Sequence, residues 1–321
     1  MHTTKEEWFD LIREEYLHNF ISNGGAAVKF CVSIDDAGLD GMLPLLRKTS
    51  EDEGYVLALV DAASTKIHMV DKLFHEVARQ IDWDGLSRAF VKEFFTQNGY
   101  QLSEHDEYFN LQNIAKINNR TEIFFRRELR SWLEEVIFRD FEMSQEFRIA
   151  MIRLCLDQLD TTGPSVFLSN AVKEWLQGEL RLIATLKNAL IFQKIARHNA
   201  RHMLFSLAHW LRVNGKSGLV LVLDITRYLV SIRSKNANGA FFYSLPAVLD
   251  VYEMLRQFID GTDEMGGLLI VVLAPKEFLN DDKRGLRSYD ALKLRIWDEV
   301  RDRQRQNPLA SLVRLANSSA E

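Results

Sequence analysis

Four short stretches of almost unbroken apolar residues, set into a chain otherwise patterned for helices, leave few folds open to this sequence. They are Val28 to Val32, Tyr55 to Ala62, Gly218 to Asp224 (G-L-V-L-V-L-D) and Gly267 to Ala274 (G-L-L-I-V-V-L-A). A strand with one wet face alternates polar and apolar residues, so runs without alternation mark strands covered on both faces, as in a parallel sheet between helices. Leu312 to Leu315 is a shorter fifth candidate. The first two runs are joined by a helical stretch, which makes a right-handed parallel unit the expected connection.

The segment after the first run carries the most chemical information. A strand expected at 26–33 enters Ser33-Ile34-Asp35-Asp36-Ala37-Gly38-Leu39-Asp40-Gly41, and a helix is expected from Leu39 to Asp52. Strand, tight polar turn and helix make the frame of a P-loop, whose chemistry needs backbone N–H groups at phosphate oxygens, one lysine and one hydroxyl. Here the lysine position holds Leu39 and the hydroxyl position Asp40, while Asp35 and Asp36 would repel a triphosphate at close range. A P-loop protein also needs an acidic residue at the end of a buried strand to hold magnesium, with a neighbouring carboxylate for the attacking water. Asp224 meets the first need, but the next residue is Ile225, which neither polarises water nor accepts a proton. The acidic turn has a plainer reading too, with Asp36 or Asp40 capping the helix at the place a phosphate would otherwise fill. The expected fold is therefore α/β, a P-loop NTPase-like (AAA+/RecA-like) parallel sheet, with catalysis lost.

Between Met69 and about Asn214 the pattern is helical throughout, with expected helices at Trp83 to Gln97, Glu122 to Arg139, Ser144 to Leu159, Ser165 to Gln177 and Arg181 to Leu211. Residues 4 to 22 also read as a helix, with apolar positions Trp8, Phe9, Ile12, Tyr16 and Phe20, ended by Asn23-Gly24-Gly25. The expected division is an N-terminal helix and linker at 1–25, an α/β core from 26–68 and 215–321, and a helical insertion at 69–214. Gly215-Lys216-Ser217 spells the end of a phosphate loop but precedes a strand, so a plain turn is expected.

Charge and cysteines set the outer bounds. With 26% charged residues and a net charge of −5 over 321 residues, no global field calls for nucleic acid. Cys31 and Cys155 sit in apolar contexts without a metal or disulfide pattern, and no apolar span is long enough for a membrane, so a soluble cytoplasmic protein without a metal site is expected. Two basic groups remain. Arg120, Arg126, Arg127 and Arg130 read as solvated helix surface beside Glu122, Glu128, Glu134 and Glu135. Lys187, Lys194, Arg197 and Arg201 fall near one face if their segment is helical, and that face is either solvated surface or a track for a phosphate backbone. Trp175, Trp210 and Trp297, with the pairs Phe94-Phe95, Phe124-Phe125 and Phe241-Phe242, are expected in the core.

Several local matches, taken in order, resemble the ATP-binding proteins of the bacterial BREX phage-defence systems, the BrxC and BrxD type. They run from about Gly24 to Leu315 and include Val28-Lys29-Phe30, Glu53-Gly54-Tyr55-Val56, Asn199 to Leu204 and Gly218 to Asp224. Leu255 to Gly261, Ala274 to Phe278, Lys283 to Leu286, and Tyr289 to Leu292 with Arg295 complete the series. The resemblance implies an ATPase of an anti-phage assembly. It also marks departures: Ser33 and Asp36 stand where the family has loop glycines, Leu39 where it has lysine, Asp40 where it has serine or threonine, and Ile225 where it has glutamate. The candidate nucleotide positions are thus Ser33, Asp36, Gly38, Leu39, Asp40 and Asp224, and no residue is assigned to catalysis. The expected function is a pseudo-ATPase acting as a structural or regulatory subunit, its partner an active paralogous ATPase or another defence component in a hetero- or homo-oligomer, with DNA reached through the complex. The alternatives are a nucleotide-binding switch without hydrolysis, holding ATP or ADP weakly, and a nucleic-acid-binding module.

Overall fold

A computed structural model of the chain describes residues 3–33, 39–103, 105, 109–159, 164–226, 241–297 and 307–316. Its elements begin with β1 (Thr3–Thr4), α1 (Lys5–Leu11), a π-helical stretch Ile12–Ile21, β2 (Ala26–Ser33), α2 (Met42–Asp52), β3 (Tyr55–Asp61) and α3 (Val70–Arg79). Five helices follow: α4 (Trp83–Gln97), α5 (Leu111–Ile117), α6 (Glu122–Leu133), α7 (Gln145–Asp157) and α8 (Pro164–Gln177). Then come α9 (Ala200–Val213), β4 (Gly218–Asp224), α10 (Leu245–Asp260), β5 (Leu268–Ala274), α11 (Glu277–Asn280), α12 (Asp290–Ile296) and β6 (Leu312–Ala316). The chain divides into two compact units, Met1–Val77 with Leu211–Glu321, and Ala78–Trp210. Among the described residues no helix is long and apolar enough to cross a membrane.

The first unit holds one six-stranded sheet in the order β1-β6-β2-β5-β4-β3, parallel at every pairing. The four apolar runs form its four inner or long strands, and β4 and β5 are buried along almost their whole length because helices cover both faces. On one face Cys31, Val220, Val222, Leu269, Val271 and Val313 pack with Trp8, Phe9 and Ile12 from the amino-terminal segment and Met42 and Leu46 from α2. On the other, Phe30 stacks on Phe278 at 5.9 Å between ring centroids, and Tyr252 of α10 meets Phe278 edge-on at 5.8 Å.

The amino-terminal helix departs from the expected phase. From Ile12 to Ile21 it is π-helical, which inserts an additional residue per turn, so Leu17 and Ile21 are buried while Tyr16 is only half-buried and Phe20 is exposed. Ahead of it, Thr4 and Glu7 form a reciprocal capping box that starts α1. Thr3 and Thr4 pair with Leu315 and Ala316 as a two-residue edge strand.

Two turns enter β4 and β5 side by side. Gly215 is left-handed at φ 73° and its N–H returns to the Arg212 carbonyl at 2.9 Å, which closes α9. Gly215-Lys216-Ser217 is therefore a turn. Ser217 then donates to the Glu53 carbonyl at 2.6 Å. Gly218 has φ 142°, and a Cβ there would stand 2.2 Å from the Gly267 carbonyl oxygen.

α10 and α12 are tied together by charge. Arg256 donates to Glu253 at 2.6 and 2.8 Å and to Asp260, Arg295 donates to Asp260, and the Tyr289 hydroxyl donates to Glu253. The Arg256 hydrogen bonds, with those from Tyr289 and Gln257 and against a burial penalty, hold the Glu253 carboxyl down at about 2. Because its folded value lies below the ordinary 4.5, the stability this group contributes is present above about pH 4.5 and is lost as pH falls toward 2. Glu253→Gln is thus expected to be less stable than wild type at pH 7, and the gap in unfolding midpoints should narrow below about pH 4.5 and close only as pH approaches 2. A gap that stays constant over that range would show that the carboxylate charge is not what the network uses.

The second unit is helical, with an aromatic centre. Phe90 meets Trp132 at 4.7 Å and Trp210 at 4.8 Å, and Tyr100 meets Phe125 edge-on at 4.9 Å. Trp175, Trp210, Phe94, Phe95 and Phe125 are buried as expected, whereas Phe241 and Phe242 in the first unit are about 40% exposed. Cys31 and Cys155 are buried and free. The helix expected at Arg181 to Leu211 is not continuous. A 3-10 helix, Ile183–Ala189, ends at Leu190 in the left-handed conformation, φ 63°, and α9 begins only at Ala200.

Candidate functional site

In an open parallel sheet the carboxyl ends of the strands face a crevice where the strand order reverses, and ligands are bound there. Here the reversal is at β2. The chain leaves β2 for the far edge at β3, returns through β4 and β5, and then crosses to β6 on the opposite side of β2. At that edge Ser33 lies opposite Leu315 of β6, Val32 opposite Ala274 of β5, and Asp224 opposite both Leu273 of β5 and Asp61 of β3. The phosphate-loop strand and the acidic strand are therefore brought to one edge with β5 between them.

Asp224 ends β4 with one carboxylate oxygen, Oδ1, accepting from the Thr226 backbone N–H at 2.9 Å and the Thr226 hydroxyl at 2.6 Å. Its Oδ2 accepts no hydrogen bond among the described residues. Asp61 does the same on the next strand, its Oδ1 accepting from Ala63 N–H at 2.7 Å. Each carboxylate thus fixes its own turn through one oxygen.

Ile225 is wholly buried, and its N–H donates to the Leu273 carbonyl at 2.9 Å, so it extends the β4–β5 ladder past the acidic residue. A glutamate serving water would need to leave the core at that point. Leu39 is half-buried and packs against the apolar cluster that includes Met42 and Leu46. It lies three residues ahead of α2, which starts at Met42 rather than at Leu39. The residue before the helix is Gly41, left-handed at φ 76°, and among the described residues no side chain caps the helix. Asp40 is exposed and is not the cap, because the left-handed turn at Gly41 separates it from the first free N–H groups. Asp36 and Gly38, with Asp35, lie outside the described residues.

One lysine, Lys5, approaches this edge, and a second, Lys29, is used farther down the sheet. Lys5, only 8% exposed, donates from Nζ to the Asp40 carbonyl at 2.7 Å, so the first helix grips the end of the turn before α2. Sequence reasoning missed it, although the Thr4-to-Glu7 capping pattern was there to make Thr4 the cap and Lys5 the first helical residue. Lys29, on β2, donates to the Tyr16 hydroxyl and to the Leu309 carbonyl, each at 2.6 Å, and stands 4.0 Å from the Tyr16 ring centre. Burial brings its ammonium down to about 8. Lys29 is committed to holding β2 against the π-helical stretch.

The four cations expected on one helical face do not share one. Lys187 is on the 3-10 helix, Lys194 and Arg197 lie in the irregular stretch after Leu190, and Arg201 is in the first turn of α9. The left-handed Leu190 turns the chain, and Asn199 bonds Ala196 N–H at 2.7 Å ahead of α9, so the spacing that would align them is lost.

A family model described as BREX system ATP-binding protein BrxC/D matches residues 14–321. Neither a curated protein nor a solved structure matches the chain.

Proposed function

The chain belongs to this family of BREX ATP-binding proteins, and on that premise we propose that it is a P-loop-fold subunit of a bacterial anti-phage assembly that has given up hydrolysis. The reading rests on how its two decisive positions are used. Where turnover needs a cation at the phosphates, Leu39 packs against the core, and where it needs a carboxylate at the attacking water, Ile225 is buried in the strand ladder. Both side chains are spent on stability, so the sheet serves as a scaffold beside an active paralogue or another defence component. Subunits of NTPase assemblies can shape a neighbour's site without carrying a complete one.

Phosphate release from the purified chain with ATP and magnesium is expected at the level of a contamination control. Leu39→Lys alone is expected to leave it there while lowering stability by about 1 kcal/mol, since a half-buried leucine is lost. Turnover that survives purification and scales with protein would overturn the reading.

A second reading has its own support. The second carboxylate oxygen of Asp224, which accepts no hydrogen bond among the described residues, is the group that would hold magnesium, so nucleotide could be gripped without being cleaved. Calorimetric titration separates the two: ATP-magnesium binding that Asp224→Asn weakens about tenfold or more, without phosphate release, selects the switch.

A further inference from the structure

We propose that the helical unit carries a docking groove for an amphipathic helix of a partner protein, one with carboxylates flanking its apolar stripe. The inference does not rest on the nucleotide reading. The groove is a cavity of about 360 Å³ between α6, α7 and the turn at Leu190. One wall is a second apolar face of α7, Ile149, Ile152 and Leu156, which repeats every three or four residues and stays half-exposed. That face lies beside the fully buried one formed by Phe147, Met151 and Leu154. An apolar row at helical spacing is the complement of another helix's stripe.

The rim is charged with one predominant sign. Arg130 and Arg153 line the groove with Glu134, and Arg127 lies one turn before Arg130 on the same face of α6. Arg127 and Arg130 were expected to pair with the glutamates of their own helix. Among the described residues neither forms an ion pair, and Arg153 donates only to the Asn188 carbonyl, at 3.2 Å. At the groove's end, Phe138 and the neighbouring Phe141, 83% exposed, are held by Arg148, whose guanidinium lies 5.6 and 4.8 Å from their rings and donates to the Phe138 carbonyl. Arg148 is itself 8% exposed, and its Nε is buried without a hydrogen-bond partner. Guanidinium groups around an apolar channel fit a helix that brings carboxylates, because Arg meets a carboxylate through two parallel hydrogen bonds.

Leu190 supplies an independent argument. It holds a left-handed backbone, which a residue with a Cβ adopts at a cost, and yet it is 57% exposed on the lip of the groove. Glycine would fit that backbone without strain, so the leucine side chain offsets that strain by the apolar surface it adds to the lip of the groove.

The test uses three fluorescein-labelled synthetic peptides of about 18 residues, long enough for a helix to form on a surface. One is amphipathic with glutamate flanks, one has the same apolar stripe with lysine flanks, and one is the acidic peptide scrambled. Anisotropy should show the acidic amphipathic peptide binding at least about tenfold tighter than the other two, and less tightly as salt rises. Ile152→Asp should abolish this binding and Arg130→Glu with Arg153→Glu should weaken it about tenfold. Leu190→Gly decides the matter if those variants fold poorly. It is expected to raise the unfolding midpoint by roughly 2–4 °C through relief of strain while weakening the peptide, a combination that a purely structural leucine would not give. Equal binding of all three peptides, binding of none, duplex DNA captured by the same arginines, or a self-association that Ile152→Asp abolishes would each overturn the proposal.

Discussion

Ile225→Glu is expected to cost at least about 3 kcal/mol of folding free energy and to return no ATP hydrolysis. The substitution writes back the carboxylate that the resemblance places after the acidic strand, at a side chain that is wholly buried and whose backbone is bonded to Leu273. A charge buried without a partner is among the most destabilising changes available, and the group neutralises rather than remain ionised. Its folded pKa would then be raised above the unfolded value near 4.3, so the folded state binds the additional proton. The penalty is accordingly smallest below about pH 4 and grows as pH rises through the unfolded value until the folded one is passed. Urea unfolding at pH 4 and pH 7, beside Ile225→Val as a volume control expected to lose only about 1 kcal/mol, measures it. A variant as stable as wild type at pH 7 would show that the side chain can reach solvent, and the main structural argument for lost catalysis would fall.

Gly218→Ala is expected to be nearly as damaging, at about 3 kcal/mol, for a reason of backbone geometry. At φ 142° only glycine is comfortable, and the added Cβ would meet the Gly267 carbonyl oxygen at 2.2 Å. That oxygen accepts the first cross-strand bond, from Leu219 N–H at 2.8 Å, so it cannot retreat without loosening the start of the β4–β5 ladder. Gly41→Ala provides the comparison. It has φ 76° with nothing within 4 Å of the added carbon, so strain alone applies, about 1 kcal/mol. Equal costs for the two variants, in the same denaturation experiment, would mean that the close approach to Gly267 is not tight in solution.

The sheet could be read from the chain because its strands are buried on both faces, which turns each into an apolar run too short for a buried helix and, in β3, β4 and β5, preceded or opened by glycine. β4 occupies the expected residues, and β2 and β5 differ from their runs by a residue or two at most. What escaped was set by geometry rather than composition. Thr3–Thr4 is too short for any periodicity, and the π-helical turns after Ile12 move burial from Tyr16 and Phe20 to Leu17 and Ile21 while keeping the same residue types. The break at Leu190 has no glycine or proline to announce it, since a leucine takes the left-handed conformation there. At the candidate site the identities of Leu39, Asp224 and Ile225 were legible, but their uses were not. That Leu39 joins the core, that Asp224 spends one oxygen on Thr226 and that Lys5 comes from another helix are matters of tertiary placement.

The bond from Lys5 to the Asp40 carbonyl has a practical side. Thr3 and Thr4 are zipped to β6, and the next side chain clasps the turn that leads into α2, so the outermost strand and the rim of the crevice move as one strap. A fusion tag that pulls those two threonines away from the sheet also draws the ammonium off its carbonyl. Ligand titrations on an amino-terminally tagged chain would therefore report on a rim already let loose.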